Sequence, residues 1–282
     1  MAKCAAYALI WEPTFNIDSL HLVRHIKKLG FDGIEIPLVT SILKSFPIKE
    51  MKTCLGDTDL SIAFCTGLGE TQNIASKNNK FQKNGIEHLK KCIDVVAEFN
   101  SDVLAGVIYG VWGGFSGNPP TEDELNWSAE CLREVSLYAE TLNIDLALEP
   151  VSRFEGYLIA TAADGLEYIN KVGTKNVGLH LDTFQMNIEE KSLPEAIRRA
   201  GKKLFHFHVC ASDRGIPGID HTDWHGVFSA LKEISYDRWL TIESFSPEPG
   251  GAGAAAKVWR RLAQSPDEIA LGGLNLVRKH LE

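Results

Sequence analysis

Apolar segments of strand length alternate with amphipathic segments of helical length along all 282 residues, and no other feature restricts the possible folds as strongly. Strand-like runs lie at 4–10 (CAAYALI), 32–38 (DGIEIPL), 60–67 (LSIAFCTG), 102–109 (DVLAGVIY), 144–150 (IDLALEP), 177–182 (VGLHLD), 203–209 (KLFHFHV) and 239–244 (WLTIES). Helical periodicity occupies 17–30, about 47–56, 80–99, 121–142, 161–172, 192–200, 223–235 and 265–281. The first helix is expected to be capped near Asp18 and stopped by Gly30. Strands separated by helices must pair in parallel through right-handed crossovers. Eight such units close most simply into an α/β fold of the (β/α)8, or TIM barrel, type. The rival is an open doubly wound sheet, but its Gly-x-Gly-x-x-Gly turn is missing after the first strand. No linker or shift in composition divides the chain, so one barrel domain is expected over 1–282.

Composition removes other classes of function. An apolar fraction of 44% can fill a barrel core, and a net charge of −8 without a basic patch argues against a nucleic-acid partner. No uncharged run approaches the roughly 18 residues of a membrane span, and no basic-then-apolar leader precedes the first strand. A cytoplasmic protein with no membrane partner is the expectation. The cysteines at 4, 54, 65, 92, 131 and 210 form no Cys-x-x-Cys pair and read as reduced, mostly buried small hydrophobes.

In a (β/α)8 barrel the C-terminal ends of the strands and the loops after them carry the chemistry. Four strand ends present strong ligands for a cation: Glu149 ends LALE, Asp182 ends LHLD, His208 ends FHFH and Glu243 ends LTIE. Three carboxylates at one rim would repel one another at a cost of several kcal/mol unless a cation lay between them. Two Glu, one Asp and one His suit Mn²⁺, and also Co²⁺ or Mg²⁺, better than a structural zinc ion. The plainer alternative is that these residues cap strands and pair with Arg153, Arg214 or helix N-termini.

The chain resembles the ketose 3-epimerases, which act on tagatose, psicose (allulose) and ribulose within the larger sugar isomerase/epimerase barrels. The matching stretches are EPVSRFEGYL (149–158), LDTFQMNIEE (181–190), HFHVCASDRGIPG (206–218), DWHGVFSALKEISYDRWLTIESF (223–245) and VWRRLAQSPDEIALGGL (258–274), with GVIYGVWGGFSGNPPTEDE (106–124) beside them. The resemblance implies that Glu149, Asp182, His208 and Glu243 hold a divalent ion, commonly Mn²⁺ or Co²⁺. It implies that Glu149 and Glu243 form the acid/base pair, one on each face of a sugar epimerised at C3. Glu155 and Arg214 would hold the O1–O3 end, and Tyr7, Phe15 and Trp112 would line the pocket. The ion would stabilise negative charge developing on O2 in a cis-enediolate. The partner would be a small free ketose, and the assembly a homodimer or homotetramer.

Gln185 departs from this pattern, because such epimerases usually carry a histidine there that contacts the substrate near O2. An amide still donates and accepts, but it cannot become charged. The departure keeps alive a metal-dependent lyase acting on a sugar or inositol-like substrate, either a dehydratase or a C-glycoside-cleaving enzyme using the same site. A non-enzymatic sugar-binding barrel is a third possibility, in which intact acid/base glutamates would have no use. His206 is expected to be buried and hydrogen-bonded behind the ligands, and His180 to pack. Phe184 should pack beside Asp182. Glu35, at the end of the second strand, is a candidate for a hydrogen bond in the pocket. Trp224 and Trp259 are expected to pack. The glycine-rich loop 246–257 is expected to be a flexible connection, with phosphate binding as the alternative.

Overall fold

Strands that carry helices on one side and a packed interior on the other are buried on both faces, and so read as nearly continuous apolar runs. The computed structural model, which describes residues 2–249 and 251–281, arranges these runs as a closed parallel barrel. Its strands follow chain order: β1 (Lys3–Tyr7), β2 (Gly33–Pro37), β3 (Ser61–Leu68), β4 (Val103–Val111), β5 (Asp145–Leu148), β6 (Val177–Asp182), β7 (Leu204–Val209) and β8 (Trp239–Ile242). Closure is made by β1 against β8, with Ala6 beside Ile242. The fold class is therefore the one expected, a TIM barrel.

The long crossover helices lie where the periodicity places them, including Asn79–Glu98, Glu122–Thr141, Ala162–Val172 and Pro266–Leu281. Thr121 with Glu124 and Thr161 with Asp164 form reciprocal N-terminal caps, and Gly173 (φ 77°) ends its helix in the left-handed conformation.

Three boundaries differ from expectation. β1 stops at Tyr7, and residues 8–10 turn inward as a 3-10 segment whose Leu9 carbonyl accepts from Ser246 N (2.7 Å). The cap near the first helix is Asn16 rather than Asp18: its side chain accepts from Asp18 N and starts a 3-10 turn, with α-helix only from His21 to Leu29. A helix at Thr183–Glu189 follows β6 with no loop between them. Asp182 caps it, accepting from Phe184 N at 3.0 Å, so the strand's alternation runs straight into the helix and hides the change of period.

β4 makes a close backbone approach beside the site. Gly106 has φ 113°, and a Cβ there would stand 2.1 Å from the Thr66 carbonyl oxygen of β3. The register between these strands also shifts at Gly67/Leu68. Gly106→Ala is expected to cost about 1–3 kcal/mol, through strain and overpacking together. A urea unfolding midpoint unchanged from wild type would show that β4 can relax at this position.

Candidate active site

The C-terminal strand ends converge on a cavity of about 270 Å³. Every charged residue on its wall comes from the second half of the barrel: Glu149, Glu155, His208, Arg214 and Glu243. The first half supplies Tyr7, Leu9, Pro37, Val39, Ile42, Val107 and Trp112, with small polar groups such as Thr66.

One guanidinium ties the charged wall together. Arg214 donates through Nη1 to Glu243 Oε2 (2.6 Å) and through Nη2 to Glu155 Oε1 (2.8 Å), and Nη1 lies 4.0 Å from Asp182 Oδ2. The guanidinium carbon lies 3.9 Å from the centre of the Phe184 ring and 4.9 Å from that of Phe245. The other carboxylate oxygen of Glu155 accepts from Trp112 Nε1 and from Gln185 Nε2, both at 2.9 Å.

A second carboxylate supports the wall from beneath. Glu35 lies mid-strand in β2, fully buried, and its Oε1 accepts from His208 Nε2 (2.9 Å) and its Oε2 from His206 Nε2 (2.8 Å). Thr241 donates to the same carboxylate from β8. Burial disfavours charge on His208, but Glu35 and Glu243 raise its proton affinity well above the usual range, so without a metal it is a cation. With its Nε2 proton held on Glu35, an ion would take the place of the proton on Nδ1. The expectation that Glu35 would offer a hydrogen bond to the pocket is thus corrected: it lies under the cavity floor and orients a histidine that reaches the cavity.

Burial and mutual repulsion separate the proton affinities of the rim carboxylates. Burial, then the neighbouring Glu243 and Asp182, push the Glu149 carboxyl well above its usual range. Burial and Glu243 raise Asp182 to about 7, against the pull of Arg214. Burial works on Glu243 in the same direction, but His208 and Arg214 prevail and bring it below the ordinary value. Glu35 is likewise held low, despite burial, by His206 and His208.

The structure brings most of the expected site residues together. Tyr7, Trp112, Glu149, Glu155, Gln185, His208, Arg214 and Glu243 all line the cavity. Asp182 sits just behind the wall, almost fully buried. Phe15 is a correction: it is buried but does not line the cavity, and it stacks on Phe46 with ring centroids 6.0 Å apart. Arg153 pairs bidentately with Glu189 on the surface and takes no part in the site. His206 is buried and hydrogen-bonded, and His180 packs edge-on to His208 with ring centroids 4.0 Å apart. Trp224 packs, but Trp259 is a second correction, since it stands 74% exposed beside a short turn. The loop expectation for 246–257 falls partly on Gly250, outside the described residues; Gly251 and Ala252 line the cavity. Sequence reasoning missed Cys210, whose thiol lies under Arg214 Nη1 at 3.7 Å and whose proton is held by burial.

The donor set fits a divalent cation. Asp182 Oδ2 and His208 Nδ1 are buried without a hydrogen-bond partner, the latter 3.2 Å from Glu243 Oε1 but out of hydrogen-bond alignment. Among the described residues, Asp182, Cys210 and Glu243 offer ligand atoms within 4.8 Å of one another, as do His180, His206 and His208. Glu149 belongs to neither group; its Oε2 lies 3.7 Å from His180 Nδ1. Orphaned ligand atoms beside repelling carboxylates describe a place short of positive charge.

Comparison with known proteins agrees with this geometry. Residues 23–262 match the xylose isomerase-like TIM barrel family. A probable ketose 3-epimerase of Synechocystis is 33% identical, covering 98% of this chain and 96% of its own. D-psicose 3-epimerase of Ruminiclostridium cellulolyticum is 32% identical, over 95% and 92%. The crystal structure of D-allulose 3-epimerase from Methylomonas, in complex with D-allulose, superposes with a TM-score of 0.94 at 28% identity, covering 99% of this chain and 97% of that one. The chain belongs to the xylose isomerase-like TIM barrels and, within them, to the ketose 3-epimerases, enzymes of the isomerase class.

The electrostatics carry a stability consequence for metal-free protein. The Asp182 carboxyl has a folded-state pKa near 7, against 3.8 as its ordinary value. Between those values the unfolded chain binds fewer protons, so this group lowers stability progressively as pH rises through the window. Asp182→Asn removes the penalty and keeps a good helix cap. With chelator present, the variant is expected to gain stability over wild type by an amount that grows from pH 5 to pH 7. Parallel melting curves across that range would refute the assignment.

Proposed function

We propose that the protein epimerises free ketoses at C3, with Glu149 and Glu243 as the acid/base pair and a divalent cation, Mn²⁺ or Co²⁺, held by Glu149, Asp182, His208 and Glu243. The observation that carries this reading is that Glu149 and Glu243, which follow β5 and β8, line one cavity together with His208, with Asp182 just behind its wall. Removing the C3 proton beside a carbonyl and returning one on the opposite face needs one carboxylate ready to accept and one ready to donate. One of the two glutamates takes the proton and the other gives one, and Arg214, bonded to Glu243 at 2.6 Å, favours the ionised form of that member. In the reverse direction the roles exchange. The cation, when bound, supplies Lewis-acid stabilisation of the charge that develops beside the carbonyl. Arg214 and Glu155 offer a donor and an acceptor to the hydroxyls at the O1–O3 end, and Trp112 closes that side of the wall. Relatives named for D-psicose and for L-ribulose support a ketose as substrate, and a cavity of about 270 Å³ accommodates a monosaccharide.

Product analysis by NMR in D₂O tests the reaction, with an epimer deuterated at C3 as the expected result. A dehydrated or cleaved product would put the lyase reading in its place. Glu149→Gln and Glu243→Gln are each expected to lower turnover by on the order of 10²–10⁴-fold, beyond any change in metal occupancy.

Metal dependence has its own test. Chelation is expected to abolish turnover and Mn²⁺ or Co²⁺ to restore it, while His208→Ala no longer retains the ion. Glu35→Ala, by releasing His208, is expected to weaken ion binding about 10–100-fold in calorimetry. Full activity in protein verified free of metal would remove the cation from the mechanism.

A further inference from the structure

We infer that Gln185 is a positioning residue: its amide is a strut that fixes Glu155, and through Glu155 the Arg214 guanidinium, so that it acts on the substrate only through those two groups. This rests on the ketose-binding reading of the site. Gln185 follows β6 in the helix Thr183–Glu189, its side chain 2% exposed on the cavity wall. Its Oε1 accepts from Ser152 N (2.8 Å) and its Nε2 donates to Glu155 Oε2 (2.9 Å). These contacts also set which way the amide faces. A flipped amide would oppose its NH₂ to the Ser152 N–H and its oxygen to the Glu155 carboxylate, two repulsive pairs at once.

Ser152 and Glu155 are the two ends of one tight turn, in which Glu155 N donates to Ser152 O at 2.8 Å. Gln185 therefore clamps the backbone at the start of that turn and the side chain at its end, and locks both to the helix that follows β6. The clamp matters because Glu155 is shared. Its Oε1 accepts from Arg214 Nη2 at 2.8 Å, and Arg214 Nη1 goes on to Glu243 at 2.6 Å. How the guanidinium divides between a substrate-facing glutamate and the acid/base glutamate therefore depends on where Glu155 is held. A neutral amide suits the task. Glutamate at 185 would set two carboxylates against each other, and leucine would leave the Ser152 N–H and one oxygen of Glu155 short of a partner.

A double-mutant cycle decides between a strut and a direct sugar contact. Gln185→Leu, Glu155→Gln and the double variant are compared by kcat/KM for a free ketose with Mn²⁺ present. Gln185→Leu alone is expected to lose about tenfold to a hundredfold, and in the Glu155→Gln background to lose less than about twofold more. The same loss in both backgrounds would mean that the amide touches the sugar itself, which overturns the proposal. The isosteric Gln185→Glu covers the case in which leucine spoils folding. Its activity relative to wild type is expected to be lowest near pH 8 and to recover as the pH falls toward 5.5; a ratio independent of pH would also overturn the proposal. If the wild type converts no ketose, the epimerase reading fails separately. The strut is then judged from the Gln185 side-chain amide in ¹⁵N spectra, expected to exchange slowly in wild type and faster in Glu155→Ala, with equal exchange rates refuting it.

Discussion

Arg214 is the cation around which the mouth of the barrel is organised. Its side chain is buried, its backbone adopts φ 61°, a left-handed conformation costly for a long side chain, and its carbonyl is anchored by Ser244 Oγ at 2.6 Å. Phe184 and Phe245 lie against the guanidinium, which keeps its fork in one orientation while its two arms go to different carboxylates. A lysine could neutralise the same charge, but it has no planar fork with which to serve Glu155 and Glu243 from fixed directions beside two aromatic rings. Strain at the backbone is the cost of putting a planar cation at that point.

Beneath this layer the charge balance is of another kind. Glu35 is an anion with no access to water, satisfied by two imidazoles and a hydroxyl. Removing one of these partners would leave a buried charge uncompensated, which costs far more than the pair contributes when complete. The upper layer, by contrast, holds more carboxylates than its own cations balance, and the raised proton affinities of Glu149 and Asp182 express that deficit. A closed lower layer and an open upper one, two residues apart on β7, separate holding the histidine from using it.

The fold was legible because each strand is apolar along its length and each helix on one face only. The ligands were legible because Asp182, His208 and the two glutamates stand where an apolar run stops. What lay beyond reading depends on closure of the barrel. Glu35 meets His206 and His208 across 171 and 173 positions of sequence, and nothing local to β2 marks it as their partner. The amide of Gln185 was visible as a departure, but its bond to the Ser152 backbone was not, since main-chain donors leave no trace in side-chain identity. Phe15 failed because it lies in irregular chain beyond β1, where no strand period fixes the side a ring takes. Trp259 failed because an aromatic beside a helix gives no sign of the side on which it falls.

The division of the wall has an evolutionary consequence. The segments from β5 to the loop after β8 carry all of its charge, while β1 to β4 and their loops contribute neutral side chains that shape the space. Changes in the first half can alter which sugars fit without displacing a proton-transfer group, because the two sets of residues belong to different strand-and-loop units. A lineage can therefore drift in sugar preference through neutral-to-neutral exchanges at Leu9, Val39, Ile42 or Val107, its catalytic half unchanged. Descent by this route would give enzymes with one reaction and many substrates, diverging unevenly along the chain.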